Sequence, residues 1–272
     1  DVIKIVRVDF VTPRVTVLSI PRDLWVEVPD ISDHYGITHT KLNQSYFFGT
    51  EGMGYYDGPG LGAGLLARTL ELNFGIRPDN YGVINMATFE DIVNVVGGID
   101  IYLPVAVNGE VGSAEDNMGF FPAGWNHLSG AEAVRFARIR KVDTIFNRMD
   151  RQTQVLCAVR EKILSGQGVM NLPQMINAFS GRVPTDLSLA QMTQMACLLP
   201  QLDADGIIFT SFPQELFELS SVYDPYSQHN TFTWYVDFDI LRDYVAQFLA
   251  GEWPLPAEGD EDSPGLSCED FP

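Results

Sequence analysis

Six cationic side chains crowd into 17 consecutive positions near the middle of the chain, within RFARIRKVDTIFNRMDRQTQ at residues 135–154. They are Arg135, Arg138, Arg140, Lys141, Arg148 and Arg151, and the acidic residues among them are Asp143 and Asp150. The whole chain has 17 cationic side chains and a net charge of −19, so this clustering is unusual. Arginine predominates, and its planar guanidinium suits bidentate contact with phosphate or carboxylate. The segment therefore predicts an anion-binding site, with a solvated helix face carrying surface ion pairs as the alternative.

The later part of this cluster falls at the start of a helix predicted over 148–165. Backbone N–H groups at a helix start attract anions and disfavour cations. Arg148 and Arg151 oppose that preference, whereas a bound anion would compensate them. Buried arginines would also be costly without an anionic partner. The pattern thus favours an anionic ligand beside this helix start.

Length and composition indicate a globular protein. The chain has 272 residues, 46% of them apolar, which is enough for a sizeable core. Its net charge of −19 argues against nucleic acid as a partner, because duplex binding requires a basic face. No apolar run approaches the length of a membrane span. The chain opens directly on the strand-like sequence DVIKIVRVDF, which predicts that an upstream anchor or export signal is missing.

Cysteines and histidines show no spacing typical of a metal site or a disulfide framework. Cys157 and Cys197 lie in apolar helical patterns and are predicted to be buried thiols, while the role of Cys268 is left open. His39 is expected to lie in a loop rather than to act as a base.

Strands and helices alternate along the chain, which indicates an α/β fold. We predict one α-β-α layered domain over 1–252, with a central mixed β-sheet flanked by helices, and a disordered acidic tail over 253–272. Residues 29–61 are expected to be rich in loops. The predicted strands are 1–10, 14–20, 24–28, 81–86, 99–107 and 206–213, and the predicted helices are 62–73, 87–98, 129–137, 148–165, 170–180, 186–199 and 237–251.

Several motifs in order resemble those of the LytR-CpsA-Psr family. The segment AVRFARIRKVDTIFNRMDRQTQVL resembles the arginine-rich signature of that family, and SIPRD at 19–23 is similar to its turn after the opening strands. Further similarity lies in HTKLNQSYFFG, NYGVINMATFEDIVNVVGGIDIYLP, AGWNHLSGAEAVRFAR and LDADGIIFTSFP. The resemblance covers roughly residues 1–250.

This resemblance implies a cell-envelope phosphotransferase. Such an enzyme moves a phosphorylated glycopolymer, for example a teichoic acid, from a polyprenyl-pyrophosphate carrier to peptidoglycan. It also implies Mg²⁺ or Mn²⁺ as cofactor, a pyrophosphatase side activity, and a place on the extracytoplasmic face of the bacterial membrane. The full-length protein would be anchored there through its missing amino terminus, and the chain itself is expected to be soluble.

The resemblance also assigns roles to individual residues. Arginines would clamp the pyrophosphate as the catalytic set, which comprises Arg22, Arg138, Arg140 and Arg148. The substrate-binding set comprises Asp23, Lys41, Arg151 and Gln152. Asp1 would hold the metal. Asp23 is expected to orient Arg22.

One departure from the family pattern leaves a rival open. The family usually places an aspartate three residues before the arginine matched by Arg148, and Ile145 stands there in this chain. The rival is a non-catalytic module that binds polyprenyl phosphates or cell-wall glycans and regulates envelope processes. An unrelated α/β hydrolase is a weaker alternative, because the chain has no G-x-S-x-G elbow.

Overall fold

The computed structural model describes residues 2–111, 117–140, 144–165, 181–202, 206–254 and 265–271. The α-helices in these ranges are α1 Leu42–Phe48, α2 Leu61–Phe74, α3 Met86–Val95, α4 Gly130–Arg138, α5 Ile145–Leu164, α6 Leu189–Leu198 and α7 Phe238–Ala250. Short 3-10 helices lie at Leu199–Gln201, Gln214–Leu216 and Cys268–Asp270. None of the helices in the described ranges is long and apolar enough to cross a membrane.

The strands form one larger sheet and several two-stranded ones. They are β1 Ile3–Asp9, β2 Arg14–Ile20, β3 Trp25–Glu27, β4 His39–Lys41, β5 Ile99–Leu103, β6 Val107–Asn108, β7 Phe120–Phe121, β8 Gly124–Leu128, β9 Ile207–Ser211, β10 Glu218–Asp224, β11 His229–Tyr235 and β12 Leu266–Ser267. The four-stranded sheet has the order β1-β2-β9-β12. Antiparallel pairs join β3 to β4, β5 to β8, β6 to β7 and β10 to β11. The predicted α/β class is therefore confirmed.

The chain divides into two compact units. Unit A comprises Asp1–Val8, Thr16–Tyr81 and Phe209–Gly265, and unit B comprises Asp9–Val15, Gly82–Ile208 and Leu266–Pro272. The predicted single domain over 1–252 stays a prediction.

In unit A, α1 contacts α2, and α2 contacts α7 and β3. A core cluster in this unit joins Phe48 of α1 and Leu65 of α2 to residues of the connecting segments, namely Val28, Ile31, Ile37 and Tyr56. Leu65 on the buried face of α2 therefore belongs to the core of this unit.

In unit B, α4 packs against both α3 and α5 and also contacts β8. Its core includes Val93, Ile99, Phe136, Val155 and Val159. The start of α4 lies so close to α3 that a Cβ atom at Gly130 would overlap the Glu90 carbonyl oxygen, so the helix begins on a glycine. The apolar faces of α3 and α5 therefore pack in this core.

Local capping fixes the start of α4 and the end of α3. Ser129 and Glu132 form the capping box of α4: the Ser129 N–H donates to Glu132 Oε2 at 2.9 Å. Hydrogen bonds from the Ser129 side chain and N–H hold the pKa of Glu132 below its usual value. Helix α3 ends at Val95, just before Gly97 and Gly98, which both adopt positive φ.

Other expectations were wrong. Residues 81–86 form a single bridge, Gly82 to Thr185, instead of a buried strand, because Asn85 caps α3 by accepting the Thr88 N–H at 2.8 Å. Strands β10 and β11 were not predicted at all, whereas the region 29–61 is rich in loops as expected and also contains β4 and α1. The helix predicted at 170–180 lies outside the described residues.

The cysteine predictions also need correction. Cys157 on α5 is bonded to Cys268 across 111 positions, whereas Cys197 is exposed and carries a free thiol. Residues 265–271 were assigned to a disordered tail, yet they contain β12 and a 3-10 turn. The covalent bond to α5 gives this segment a fixed place, which composition alone could not indicate.

The carboxylate of Asp224 stabilises the turn between β10 and β11. It accepts hydrogen bonds from Ser227 Oγ at 2.8 Å, from the Tyr226 N–H at 2.9 Å and from Gln44 Nε2 at 3.3 Å. Burial by itself raises the pKa of Asp224, but these hydrogen bonds outweigh burial and leave the pKa below the ordinary value. The bond to Gln44 ties the turn to α1.

Loss of the disulfide should destabilise the protein. Cys268→Ser is expected to lower the free energy of unfolding by about 3 kcal/mol, since a cross-link over so long a loop restricts the unfolded chain. Urea unfolding at pH 7 measures this change. Cys197→Ser is the matched control and should leave the urea midpoint unchanged. Equal midpoints for the two variants would contradict the structural role of the bond.

Asp224 predicts a specific dependence of stability on pH. Because its pKa is lower in the folded than in the unfolded state, its stabilising effect is present above about pH 4 and is lost as the pH falls further. Asp224→Asn should therefore cost about 2 kcal/mol at pH 7, the usual value of charged hydrogen bonds. The difference from the unchanged chain should shrink in urea titrations at progressively lower pH. If the difference in unfolding free energy between Asp224→Asn and the unchanged chain stays constant below pH 4, this interpretation is wrong.

Candidate functional site

In unit A, the carboxylate of Asp23 lies between two cations. Its Oδ2 is 3.3 Å from Arg22 Nε, and its Oδ1 is 3.2 Å from Lys41 Nζ. Lys41 Nζ also lies 5.6 Å from the centre of the Phe232 ring, in a cation–π contact. Two positive charges and one negative charge leave this group with a net charge of +1. The ion pairs agree with the interpretation of Asp23 as an orienting carboxylate.

Backbone contacts hold this group in place. The Asp23 carbonyl accepts the Trp234 N–H at 3.1 Å and the Thr233 hydroxyl at 2.7 Å, both from β11. Lys41 ends β4 and directly precedes α1, where its N–H donates to Gln44 Oε1 at 3.0 Å. The hairpin β10–β11 is therefore part of the support of the site. The alternation in TFTWY at 231–235 was the sequence signal that could have predicted it.

In unit B, two of the predicted arginines are exposed where α4 ends. Arg138 is the last residue of α4, and Arg140 follows two positions later. Within the described ranges, the side chain of Arg138 makes no hydrogen bond and no ion pair. Its position at the negative end of the helix dipole is favourable for a cation. Arg135, one turn earlier, lies 3.9 Å from Glu132.

Arg151 and Gln152 contact the backbone at the end of α4. Arg151 Nη2 donates to the Ile139 carbonyl at 2.9 Å, and Gln152 Nε2 donates to the Ala137 carbonyl at 3.3 Å. Both side chains are buried, each about 8% exposed. Their predicted contact with substrate stays a prediction. The observed contacts show them positioning the segment that carries Arg138.

The first turn of α5 contains both Arg148 and Ile145. Thr144 caps the helix by accepting the Asn147 N–H at 3.2 Å, and Ile145 is the first helical residue. Ile145 and Arg148 are both half-buried. Asp143, two residues before Ile145, lies outside the described residues.

The donor set for a divalent cation is incomplete in the described part of the chain. Asp1, the predicted metal ligand, lies outside it, and no group of three His, Cys, Asp or Glu side chains in the described ranges could hold a metal. Asp23 already binds Arg22 and Lys41, so it is poorly suited to be a ligand. A Mg²⁺ ion needs only one or two carboxylates when phosphate oxygens complete its shell. Asp1 together with a bound pyrophosphate would fit that requirement.

Comparison with known proteins identifies the family of this chain. A profile described as the LytR_cpsA_psr family matches residues 1–237. Over 191 residues the chain is 31% identical to the Enterococcus faecalis polyisoprenyl-teichoic acid–peptidoglycan teichoic acid transferase TagU, covering 68% of this chain and 55% of that protein. It is 29% identical to the Staphylococcus aureus regulatory protein MsrR, covering 69% of this chain and 51% of MsrR.

A third relative is similar in both sequence and structure. The chain is 30% identical to the Bacillus subtilis polyisoprenyl-teichoic acid–peptidoglycan teichoic acid transferase TagV, covering 70% of this chain and 46% of TagV. The crystal structure of B. subtilis TagV superposes with a TM-score of 0.67 at 25% identity, covering 92% of this chain and 89% of that one. The chain thus spans about half the length of its curated relatives. Since the family profile matches most of its residues, the chain belongs to the LytR_cpsA_psr family.

Proposed function

We propose that this chain transfers a phosphorylated glycopolymer from a polyprenyl-pyrophosphate carrier to peptidoglycan. The observation that carries the proposal is the pair of exposed arginines, Arg138 and Arg140, in a chain whose net charge is −19. Their segment lies within the residues matched by the family profile, and the relatives TagU and TagV are named as teichoic acid transferases. A polyanion such as pyrophosphate explains why cations gather here.

The reaction is a phosphoryl transfer. An acceptor hydroxyl oxygen attacks the phosphorus atom that bears the glycan and forms a new P–O bond. The bond from that phosphorus to the bridging oxygen breaks, and polyprenyl monophosphate leaves while the hydroxyl proton passes to a base. Such reactions depend mainly on positioning and on charge stabilisation. Arg138, Arg140 and Arg148 would bind the phosphate oxygens and stabilise the charge that develops on them.

The cationic group of unit A, formed by Arg22, Asp23 and Lys41, would also bind a pyrophosphate substrate. Arg22 and Lys41 supply cationic donors, and Asp23 restricts their orientation through its two ion pairs. Preorganised donors cost little reorganisation when charge develops, which is what favours a transition state over a ground state. Arg151 and Gln152 hold the backbone beside Arg138 in place by donating hydrogen bonds to the carbonyls at the end of α4.

A divalent cation, Mg²⁺ or Mn²⁺, is part of the proposal. Asp1 would hold it together with phosphate oxygens, and when bound it would neutralise charge on the pyrophosphate. If water replaces the sugar hydroxyl, the same groups would support a pyrophosphatase side activity.

The proposed location is the extracytoplasmic face of a bacterial membrane, with an anchor preceding this chain. The disulfide between Cys157 and Cys268 supports this location, because such bonds persist in oxidising compartments and are rare in the cytosol.

A second candidate is a regulatory module that binds polyprenyl phosphates or wall glycans without turnover. Ile145, at the position of the usual family aspartate, and the name of the relative MsrR, a regulatory protein, both favour it. Both candidate functions require binding of the carrier lipid, but only the transferase converts it. Measuring turnover therefore distinguishes the two.

The arginine segment gives the main test of the transfer function. Arg138→Ala and Arg140→Ala should each reduce the rate of transfer or of phosphate release from a polyprenyl-pyrophosphate substrate by about 10²-fold or more, as for other charge-stabilising donors. The assay uses a chain that includes the residues preceding Asp1, with and without Mg²⁺.

Arg135→Ala is the matched control, since it removes the same charge from the same helix and its known partner is Glu132. Its rate should stay within about twofold of the unchanged chain, because surface ion pairs of this kind contribute little. Equal losses in Arg135→Ala and Arg138→Ala would mean that overall charge matters rather than a pyrophosphate site.

Ile145→Asp tests whether the missing aspartate limits catalysis. A carboxylate at the first position of α5 is compatible with the helix dipole, so the variant should remain folded. We expect turnover in the unchanged chain and at most a severalfold increase in the variant. No turnover in the unchanged chain, together with turnover in Ile145→Asp, would support the regulatory module instead.

A further inference from the structure

An open pocket of about 470 Å³ lies in unit A, on the strand pair that also carries Lys41. Its lining residues are Trp25, Gly36, Thr38, His39, Tyr223 and Pro225. The volume falls in the range of ordinary ligand pockets, roughly 300–1,000 Å³. None of these side chains belongs to the proposed catalytic or substrate-binding set, and His39, which was expected in a loop, is the first residue of β4.

The register of β3 and β4 places this pocket beside the cationic group. Trp25 pairs directly with Lys41, and Glu27 pairs with His39. Directly paired residues have side chains on the same face of a sheet. Trp25 and His39 therefore share their face with Lys41, whose ammonium binds Asp23. A ligand in the pocket would extend towards the proposed pyrophosphate contacts of Lys41.

The chemistry of the lining suits an uncharged, hydroxyl-rich ligand. Neither a carboxylate nor an Arg or Lys side chain is among the lining residues. Trp25 is half-buried and Tyr223 is 59% exposed, so both rings can offer surface to a ligand. Thr38 Oγ1 lies 3.1 Å from His39 Nδ1, which leaves the other imidazole nitrogen for a contact outside the protein.

Polar atoms of the aromatic residues are also available to a ligand. Within the described ranges, neither the Trp25 indole N–H nor the Tyr223 hydroxyl forms a hydrogen bond to the protein. A pyranose ring has an apolar C–H face that packs on the electron-rich face of an aromatic ring, while its hydroxyl groups need donors and acceptors at the edge. Aromatic surface combined with hydroxyl, indole and imidazole groups matches both needs.

We propose that this pocket is a saccharide subsite, which binds a neutral pyranose unit of a glycan chain beside the Asp23–Lys41 pair. Its openness allows a polymer to continue beyond the pocket on the protein surface. The proposal rests on the proposed transfer function for the choice of ligand. The glycan has two sources in that reaction, the acceptor strand and the sugar carried on the pyrophosphate.

Calorimetric titration with two probes tests the subsite and distinguishes these sources. Chitotetraose is a neutral β-1,4-linked glycan, and UDP-N-acetylglucosamine carries a similar sugar on a diphosphate. Whichever of the two probes binds, Trp25→Ala and Tyr223→Ala should each weaken its binding about tenfold, the usual effect of losing an aromatic partner. Trp25→Phe should restore most of the affinity. Lys41→Ala should weaken binding of UDP-N-acetylglucosamine and leave chitotetraose unaffected.

Trp125→Ala is the matched control, because Trp125 is also an accessible tryptophan, 67% exposed on β8. It should bind both probes as the unchanged chain does. Thermal unfolding checks that each variant is folded. Because Tyr223 is exposed, Tyr223→Ala should remain folded, and it can test the subsite even if Trp25→Ala is unstable. If neither probe binds, or if Trp125→Ala loses as much affinity as Tyr223→Ala, the subsite is overturned.

The transfer assay separates this proposal from the proposed function. Probe binding that depends on Tyr223, in a chain without turnover, would support the subsite and refute the transferase. Turnover without probe binding would support the transferase and refute the subsite.

Discussion

The carbonyl groups at the end of α4 must find hydrogen-bond donors, and this requirement organises the arginine segment of unit B. A helix leaves its last carbonyls without partners inside the helix. Arg151 and Gln152 of α5 supply donors to Ile139 and Ala137, so two buried side chains hold the end of one helix against the next. Arg138 is thereby exposed to solvent on a supported backbone, and its side chain forms no hydrogen bond or ion pair in the described ranges.

In unit A, Asp23 has a comparable supporting role. Asp23 uses its carboxylate to hold Arg22 and Lys41 and its carbonyl to hold β11. One residue thus couples the side-chain geometry of two cations to the pairing of a hairpin that is distant in sequence. Since a carboxylate between two cations leaves one net positive charge, the group remains suited to an anion. The aromatic pocket on the same strand pair adds a surface that would suit a sugar.

Much of the fold follows from local sequence signals. The capping box at Ser129 and Glu132 and the stop at Gly97 and Gly98 operate within one or two helical turns. Helices α2, α3, α4 and α5 were accordingly predicted, over 62–73, 87–98, 129–137 and 148–165. Errors arose where local patterns were ambiguous. The apolar segment at 81–86 suggested a strand, but Asn85 supplies a helix cap that competes with strand pairing there.

The sequence by itself determined the α/β class, the approximate helix ranges and the clustering of arginines, because these depend on residue type and short spacing. Only the tertiary structure decided which of those arginines is buried against a carbonyl and which is exposed. It also decided that Cys157 meets Cys268 rather than Cys197, and that Asp23 meets Lys41. The physical reason is the same in each case: hydrogen bonds, ion pairs and disulfides depend on distances of a few ångströms between segments far apart in the chain, and no periodicity encodes those distances.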